Sequence, residues 1–169
     1  DNYQHMYSNN LKDTIPTFHF GGNFEYLHLY LKQSNYVALG GVAQLKQSKK
    51  LIYFLDKCFE IIKDYFPIKI HGFGIGNSTL LKRYPFYSVD STTWQAGRRF
   101  NEFNDFDNYG NCKRVMNFNR AKKGNMTIQN FTHNKKTPKQ KVEKSIQSFI
   151  KQENYITKLW EKKGIVLAS

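Results

Sequence analysis

The sequence has 169 residues, of which 40% are apolar and 16% aromatic, and a formal net charge of +13. That length suits one domain with a real core, and the composition excludes a disordered chain. Two distant cysteines, Cys58 and Cys112, exclude a disulfide framework. No apolar run approaches the roughly 18 residues of a membrane span.

In chain order, "TIPTFHF" (14–20) mixes aromatic and β-branched residues ahead of Gly21 and Gly22 and predicts a strand. "NFEYLHLYLKQ" (23–33) puts Phe24, Leu27 and Leu31 on one side of a helix, with Asn23 as cap. "YVALGG" (36–41) predicts a second strand. From Lys49 to Tyr65 the positions Leu51, Leu55, Cys58, Ile62 and Tyr65 recur at three and four, a helix that Pro67 stops. "IKIHGFG" (68–74) predicts a third strand running into a glycine-rich turn, "STLLKRY" (78–84) a short helix capped by Ser78, and "FYSVD" (86–90) a fourth strand.

Short strands alternating with helices predict a parallel sheet, whose ligands sit at the carboxyl ends of the strands. Gly22, Gly41, Gly74 and Asp90 fall near those ends. Beyond Trp94 the pattern lapses into loops rich in Asn, Gly, Lys and Arg, with a strand at "RVMNF". "TPKQ" (137–140) then starts a closing helix, Thr137 as cap and Pro138 in the first position, running to about Lys163. Its predicted inner face is Val142, Ile146, Phe149, Ile156 and Trp160.

Charge follows this division. Residues 1–111 carry 12 Lys and Arg against 10 Asp and Glu, whereas residues 112–169 carry 14 against 3. A basic tail favours phosphates or other anionic surfaces, although a Lys/Asn-rich composition alone also produces one. Lys122, Lys123, Lys135, Lys136, Lys139 and Lys141 extend this positive surface, although any single lysine is equally a solvated surface residue.

Three collinear stretches, "NYVALGGVAQ", "IKIHGFGIGNSTLLKRY" and "FYSVDSTTW", resemble the second half of the tRNA-guanine (queuine) transglycosylase superfamily, including its phage-type relatives. The resemblance covers about residues 14–100. It implies the C-terminal half of a (β/α)8 TIM-type barrel with a basic C-terminal helical extension, divided into a half-barrel at 14–94 and a basic region at 95–169. It further implies glycosyl transfer by base exchange, with a 7-deazaguanine-type base entering DNA or RNA.

Such exchange breaks an N-glycosidic bond through a transition state that is positive at the sugar. A carboxylate at the anomeric carbon attacks it or stabilises that charge. Asp90 matches the family's nucleophile at the end of the eighth strand. Read by its residues alone, Asp90 equally caps the next turn. Gly40 and Gly41, with Val42 and Ala43, match the glycine pair whose backbone lines the base pocket, where glycine lets the main chain approach a flat heterocycle.

His71 is a base or phosphate ligand or a proton shuttle, or a histidine satisfied by backbone at the rim. His19 occupies the same kind of strand-end position. Gly72 and Gly74 belong to the turn after the third strand, and Phe73, Tyr87 and Trp94 are stacking candidates or core. Arg98 and Arg99 suit the phosphates flanking a target nucleotide.

The family's zinc group of three cysteines and a histidine has only Cys112 and His133 to correspond to it, so no metal is expected, and no cofactor. The chain opens on Asp1 within a polar segment, and the first half of the barrel, with the family's second aspartate, is not in it. Four parallel strands leave open edges. The expected partners are therefore nucleic acid, a modified purine base, and a second polypeptide or missing N-terminal half. The alternative is a catalytically inactive nucleic-acid-binding or structural subunit. The low cysteine content and the lack of a visible signal peptide lead us to expect a cytoplasmic location, in the host cytoplasm for a phage protein.

Overall fold

The computed structural model describes residues 5, 8, 14–42, 45, 48–90, 103–115 and 138–167. They form β1 (Thr17–His19), α1 (Phe24–Gln33), β2 (Tyr36–Gly40), α2 (Lys49–Ile62) with a 3-10 turn at Lys63–Tyr65, β3 (Lys69–Gly72), α3 (Ser78–Arg83) and β4 (Ser88–Val89). Then follow β5 (Phe103–Phe106), β6 (Cys112–Val115) and α4 (Pro138–Glu161). Two compact units result, one of residues 1–75, 84–90 and 165–169, the other of 76–83 and 91–164. The short helix α3 is thus grouped with the second unit.

The first unit is α/β. Its four strands are parallel and lie side by side in sequence order, β1-β2-β3-β4. One phase of the alternation, Phe18, Val37, Leu39 and Ile70, is buried. On this face the Phe18 ring packs against Phe24 of α1 and Phe54 of α2, with centroids 5.4 and 5.9 Å away. The face of α2 that enters the core is Leu51, Phe54, Leu55, Cys58 and Ile62. The sequence repeat anticipates it except for Phe54, while Tyr65 falls in the 3-10 turn. Truncating a core residue such as Leu55 to alanine costs about 2–5 kcal/mol through lost transfer energy and a residual cavity.

Local chemistry sets the ends of the helices. The Asn23 side chain accepts from the Glu25 N–H at 3.0 Å, the cap expected for α1. Ser48 does the same for α2, its hydroxyl accepting from Leu51 N–H at 3.3 Å. The Tyr84 hydroxyl, buried before β4, reaches Asp56 Oδ1 at 2.7 Å and the Ile52 carbonyl at 3.1 Å. These bonds tie the approach to the last strand onto α2.

The second unit contains an antiparallel hairpin, β5 with β6, in register Phe103↔Val115 through Phe106↔Cys112. Asp107 organises its turn: one carboxylate oxygen accepts from the N–H groups of Tyr109 and Asn111, both at 2.8 Å. The Asn111 backbone is the leading reason that the Asp107 carboxyl is held below its ordinary value. Of the expected strand "RVMNF", Arg114 and Val115 lie in β6, which begins at Cys112, and the remaining three residues lie outside the described residues; its partner β5 had no sequence signal of its own.

Two expectations for this unit are corrected. Asn77 caps α3, its side-chain oxygen accepting from Thr79 N–H at 2.7 Å, whereas the Ser78 hydroxyl accepts from Gln152 at 2.8 Å. The inward stripe of α4 is Lys141, Ser145, Ser148, Gln152, Ile156 and Trp160, while Ile146 and Ile150 are 44% and 51% exposed. Two of these polar groups have partners there, Ser148 on the hairpin and Gln152 on α3, whereas the buried Ser145 hydroxyl has none among the described residues. Phe106 N–H donates to Ser148 Oγ at 2.7 Å, and the Trp160 indole N–H donates to the Leu81 carbonyl at 2.9 Å. Among the described residues, no helix is long and apolar enough to cross a membrane.

Candidate functional site

Alternation along β1 to β4 sends one phase into the aromatic core and the other to the opposite face. The strand register places Thr17, Ala38, His71 and Ser88 in one row across that second face. The row toward the amino ends contains Tyr36 and Lys69. Beyond the carboxyl ends, Phe73 N–H donates to the Leu39 carbonyl at 3.0 Å and Asp90 N–H to the Gly72 carbonyl at 3.3 Å. The ladder therefore continues one step, and His19, Gly40, Phe73 and Asp90 form the next row. The face opposite the core thus carries hydroxyls, imidazoles, a lysine and a carboxylate.

At its centre is a connected polar group. His71 Nδ1 lies 2.7 Å from Ser88 Oγ, and that oxygen lies 2.6 Å from the Tyr36 hydroxyl. Burial lowers the His71 pKa, and the negative charge of Asp90 opposes that shift. The Phe73 ring stands edge-on to the imidazole at 4.6 Å. Lys69 Nζ lies 4.6 Å from the centre of the Tyr87 ring, which also meets the edge of Tyr36. Tyr87 is thus a neighbour of Tyr36 and Lys69.

Asp90 is exposed at the end of β4. One carboxylate oxygen accepts the backbone N–H of Gly74, in the turn after β3, where Gly74 has a φ of 68°. That bond fixes the carboxylate across the tips of two adjacent strands. Such a group, close enough to His71 for its charge to act there, is able to bear on an electrophilic carbon while the imidazole handles a proton.

The glycines divide by role. A Cβ on Gly40 would lie 3.0 Å from His19 Cδ2 and 3.2 Å from His19 Nε2, so the bare backbone of β2 makes room for that imidazole. Gly41 has a φ of 72° and turns the chain directly after it. Gly72 is on the core side: a Cβ there would meet Ile75 and Phe86 at 2.9 Å.

Of the residues proposed from sequence, His19, Gly40, His71, Phe73 and Asp90 share the polar face, Gly41 and Gly74 form adjoining turns, and Val42 is buried. Ala43, Trp94, Arg98 and Arg99 lie outside the described residues, as do His133 and Lys122, Lys123, Lys135 and Lys136 of the basic region. Lys139 is exposed, but Lys141 is 3% exposed and does not belong to a solvated positive surface. Tyr36 and Ser88 were missed as site residues. Both lie in the strand phase shared with His71, the one signal that could have found them.

Among the described residues, no group of three or more His, Cys, Asp or Glu is placed to hold a metal ion. Comparison with protein-family models, curated proteins and solved structures finds no match in any of the three.

Proposed function

We propose that the chain is one half of a (β/α)8-type barrel and contributes its carboxyl-end residues to base exchange on DNA or RNA. In this reading an Asp90 carboxylate oxygen bonds to the anomeric carbon of a nucleotide as the C–N bond to the departing base breaks. The departing base takes up one proton and the incoming base gives one up, so the exchange is proton-neutral overall; His71 relays that proton by passing through its protonated form and otherwise rests as the neutral ring. An incoming base of the 7-deazaguanine type then attacks the same carbon through nitrogen, loses its proton and releases Asp90. A second polypeptide, or sequence N-terminal to this chain, supplies the other strands. No resident cofactor enters this chemistry.

The observation that carries the reading is the exposed Asp90 carboxylate at a strand's carboxyl end, held by Gly74 and within electrostatic reach of His71. The sequential parallel order of the strands supports it, as does the resemblance of the three collinear motifs to the transglycosylases. The testing experiment supplies labelled base to the assembled protein with DNA and RNA separately and measures incorporation for wild type and Asp90→Asn.

A second reading has its own observation. Accepting a backbone N–H from a glycine turn is what a purely structural aspartate does. On that basis the chain is an inactive nucleic-acid-binding or structural subunit, which predicts retention of nucleic acid with no exchange at all.

A further inference from the structure

We propose that Ser88 and Tyr36 are positioning residues that hold His71 as its neutral Nε2–H tautomer, so that the imidazole meets a ligand as a hydrogen-bond donor. Three groups are linked in sequence, Tyr36 hydroxyl to Ser88 Oγ at 2.6 Å and Ser88 Oγ to His71 Nδ1 at 2.7 Å. Each hydroxyl has one hydrogen, so the protons along the chain run one way or the other.

Elementary acidity chooses between them. A phenol, with a pKa of about 10, is a far stronger acid than an alkyl alcohol and a better donor. An alkyl hydroxyl oxygen is a better acceptor than a phenol oxygen, and an unprotonated imidazole nitrogen is the best acceptor of the three. Tyr36 therefore donates to Ser88, and Ser88 donates to Nδ1, each bond strengthening the next. The reverse order would have Nδ1–H donate to Ser88 and Ser88 donate to the weakest acceptor, with the Tyr36 hydrogen sent elsewhere.

A neutral ring with Nδ1 occupied as acceptor carries its hydrogen on Nε2. Burial of His71 favours that neutral ring against the opposing charge of Asp90. The matching ligand atom is an acceptor, such as a ring nitrogen or carbonyl oxygen of a purine-type base. This identification of the ligand rests on the base-exchange reading above, whereas the tautomer does not.

The test is a long-range proton–nitrogen spectrum of the full chain labelled with nitrogen-15 histidine, at about pH 7.5, where an ordinary imidazole is mostly neutral. His71→Gln assigns the signals. Wild type is expected to show Nδ1 at the unprotonated, downfield end and Nε2 at the protonated, upfield end. Ser88→Ala is expected to move both toward the average of a tautomer mixture, and Tyr36→Phe to shift them less in the same direction.

An Nδ1–H pattern in wild type would overturn the proposal. So would unchanged His71 signals in Tyr36→Phe, a variant that keeps the ring and serves if Ser88→Ala does not fold. Because the spectrum needs no turnover, absence of base exchange counts against the enzyme alone, and a wrong tautomer counts against the relay alone.

Discussion

Gly72→Ala separates two opposing effects whose sizes the structure fixes. The added methyl would lie 2.9 Å from Ile75 Cγ1, 2.9 Å from Phe86 Cε1 and 3.0 Å from Phe86 Cδ1. Both neighbours are buried, and Phe86 is itself set edge-on against Phe59 at 5.1 Å, so neither has free space into which to retreat. Overpacking of this kind costs about 1–3 kcal/mol. Against it, replacing glycine restricts the unfolded chain and stabilises by about 0.4–1 kcal/mol. Packing wins at the midpoints of these ranges, and the net expectation is a loss of roughly 1.3 kcal/mol, with roughly 2.6 kcal/mol as the upper bound. Urea unfolding of the full chain measures it as a lower midpoint at unchanged slope. A midpoint equal to or above that of wild type would refute the packing assigned to Gly72.

Other outcomes follow from single contacts. Gly40→Ala is expected to leave the fold intact and displace the His19 ring, seen as a shift of the His19 NMR signals with those of His71 less affected. Tyr84→Phe removes the hydroxyl that reaches the Asp56 carboxylate and the Ile52 carbonyl of α2, and is expected to lower stability by about 1–2 kcal/mol in the same unfolding assay.

Cys58 is fully buried and its thiol is pushed well above the ordinary value by burial, whereas Cys112 is exposed. A thiol reagent should therefore modify Cys112 rapidly and Cys58 only on unfolding. His71 binds its proton less readily in the fold than in the unfolded chain. Its stabilising contribution is present above the ordinary imidazole value of 6.5 and fades as pH falls through the lower folded value. The loss of stability between about pH 7.5 and 5.5 should be smaller in His71→Gln.

The parts of the fold legible in sequence were those governed by local rules. The repeat from Leu51 to Ile62 gave α2, and Asn23 gave the start of α1, because spacing and caps act within a few residues. The α3 cap was assigned to Ser78 rather than Asn77 since both residues are able to cap. The helix begins at Ser78, so the cap position falls to Asn77, while the Ser78 hydroxyl accepts from the distant Gln152. The expected inner face of α4 holds at Ile156 and Trp160, which are buried, and at Phe149, whose ring lies 5.1 Å from that of Phe106, but fails at Ile146. Apolar spacing favoured Ile146, but the unpaired donor of Phe106 drew Ser148 inward. Strand β5 escaped notice because Phe103, Asn104 and Phe106 are all buried, leaving no alternation to detect.

At the candidate site, Asp90, His71, His19 and the glycine pair were visible as strand-end residues. The relay was not. Tyr36, Ser88 and His71 come from three strands, and only the register brings their polar atoms within bonding distance. Likewise, the room that Gly40 leaves for His19 is a cross-strand relation that neither "GG" nor "FHF" expresses alone.

The central claim is that the Asp90 carboxylate forms the bond to sugar during base exchange. Its most direct measurement is incorporation of a labelled 7-deazaguanine-type base into DNA and into RNA by the assembly purified from its source through this chain, comparing wild type with Asp90→Asn. Incorporation into one of the polymers by wild type, and its loss in a folded Asp90→Asn, is the predicted result. Equal incorporation by both proteins, or none by the wild-type assembly, would contradict it.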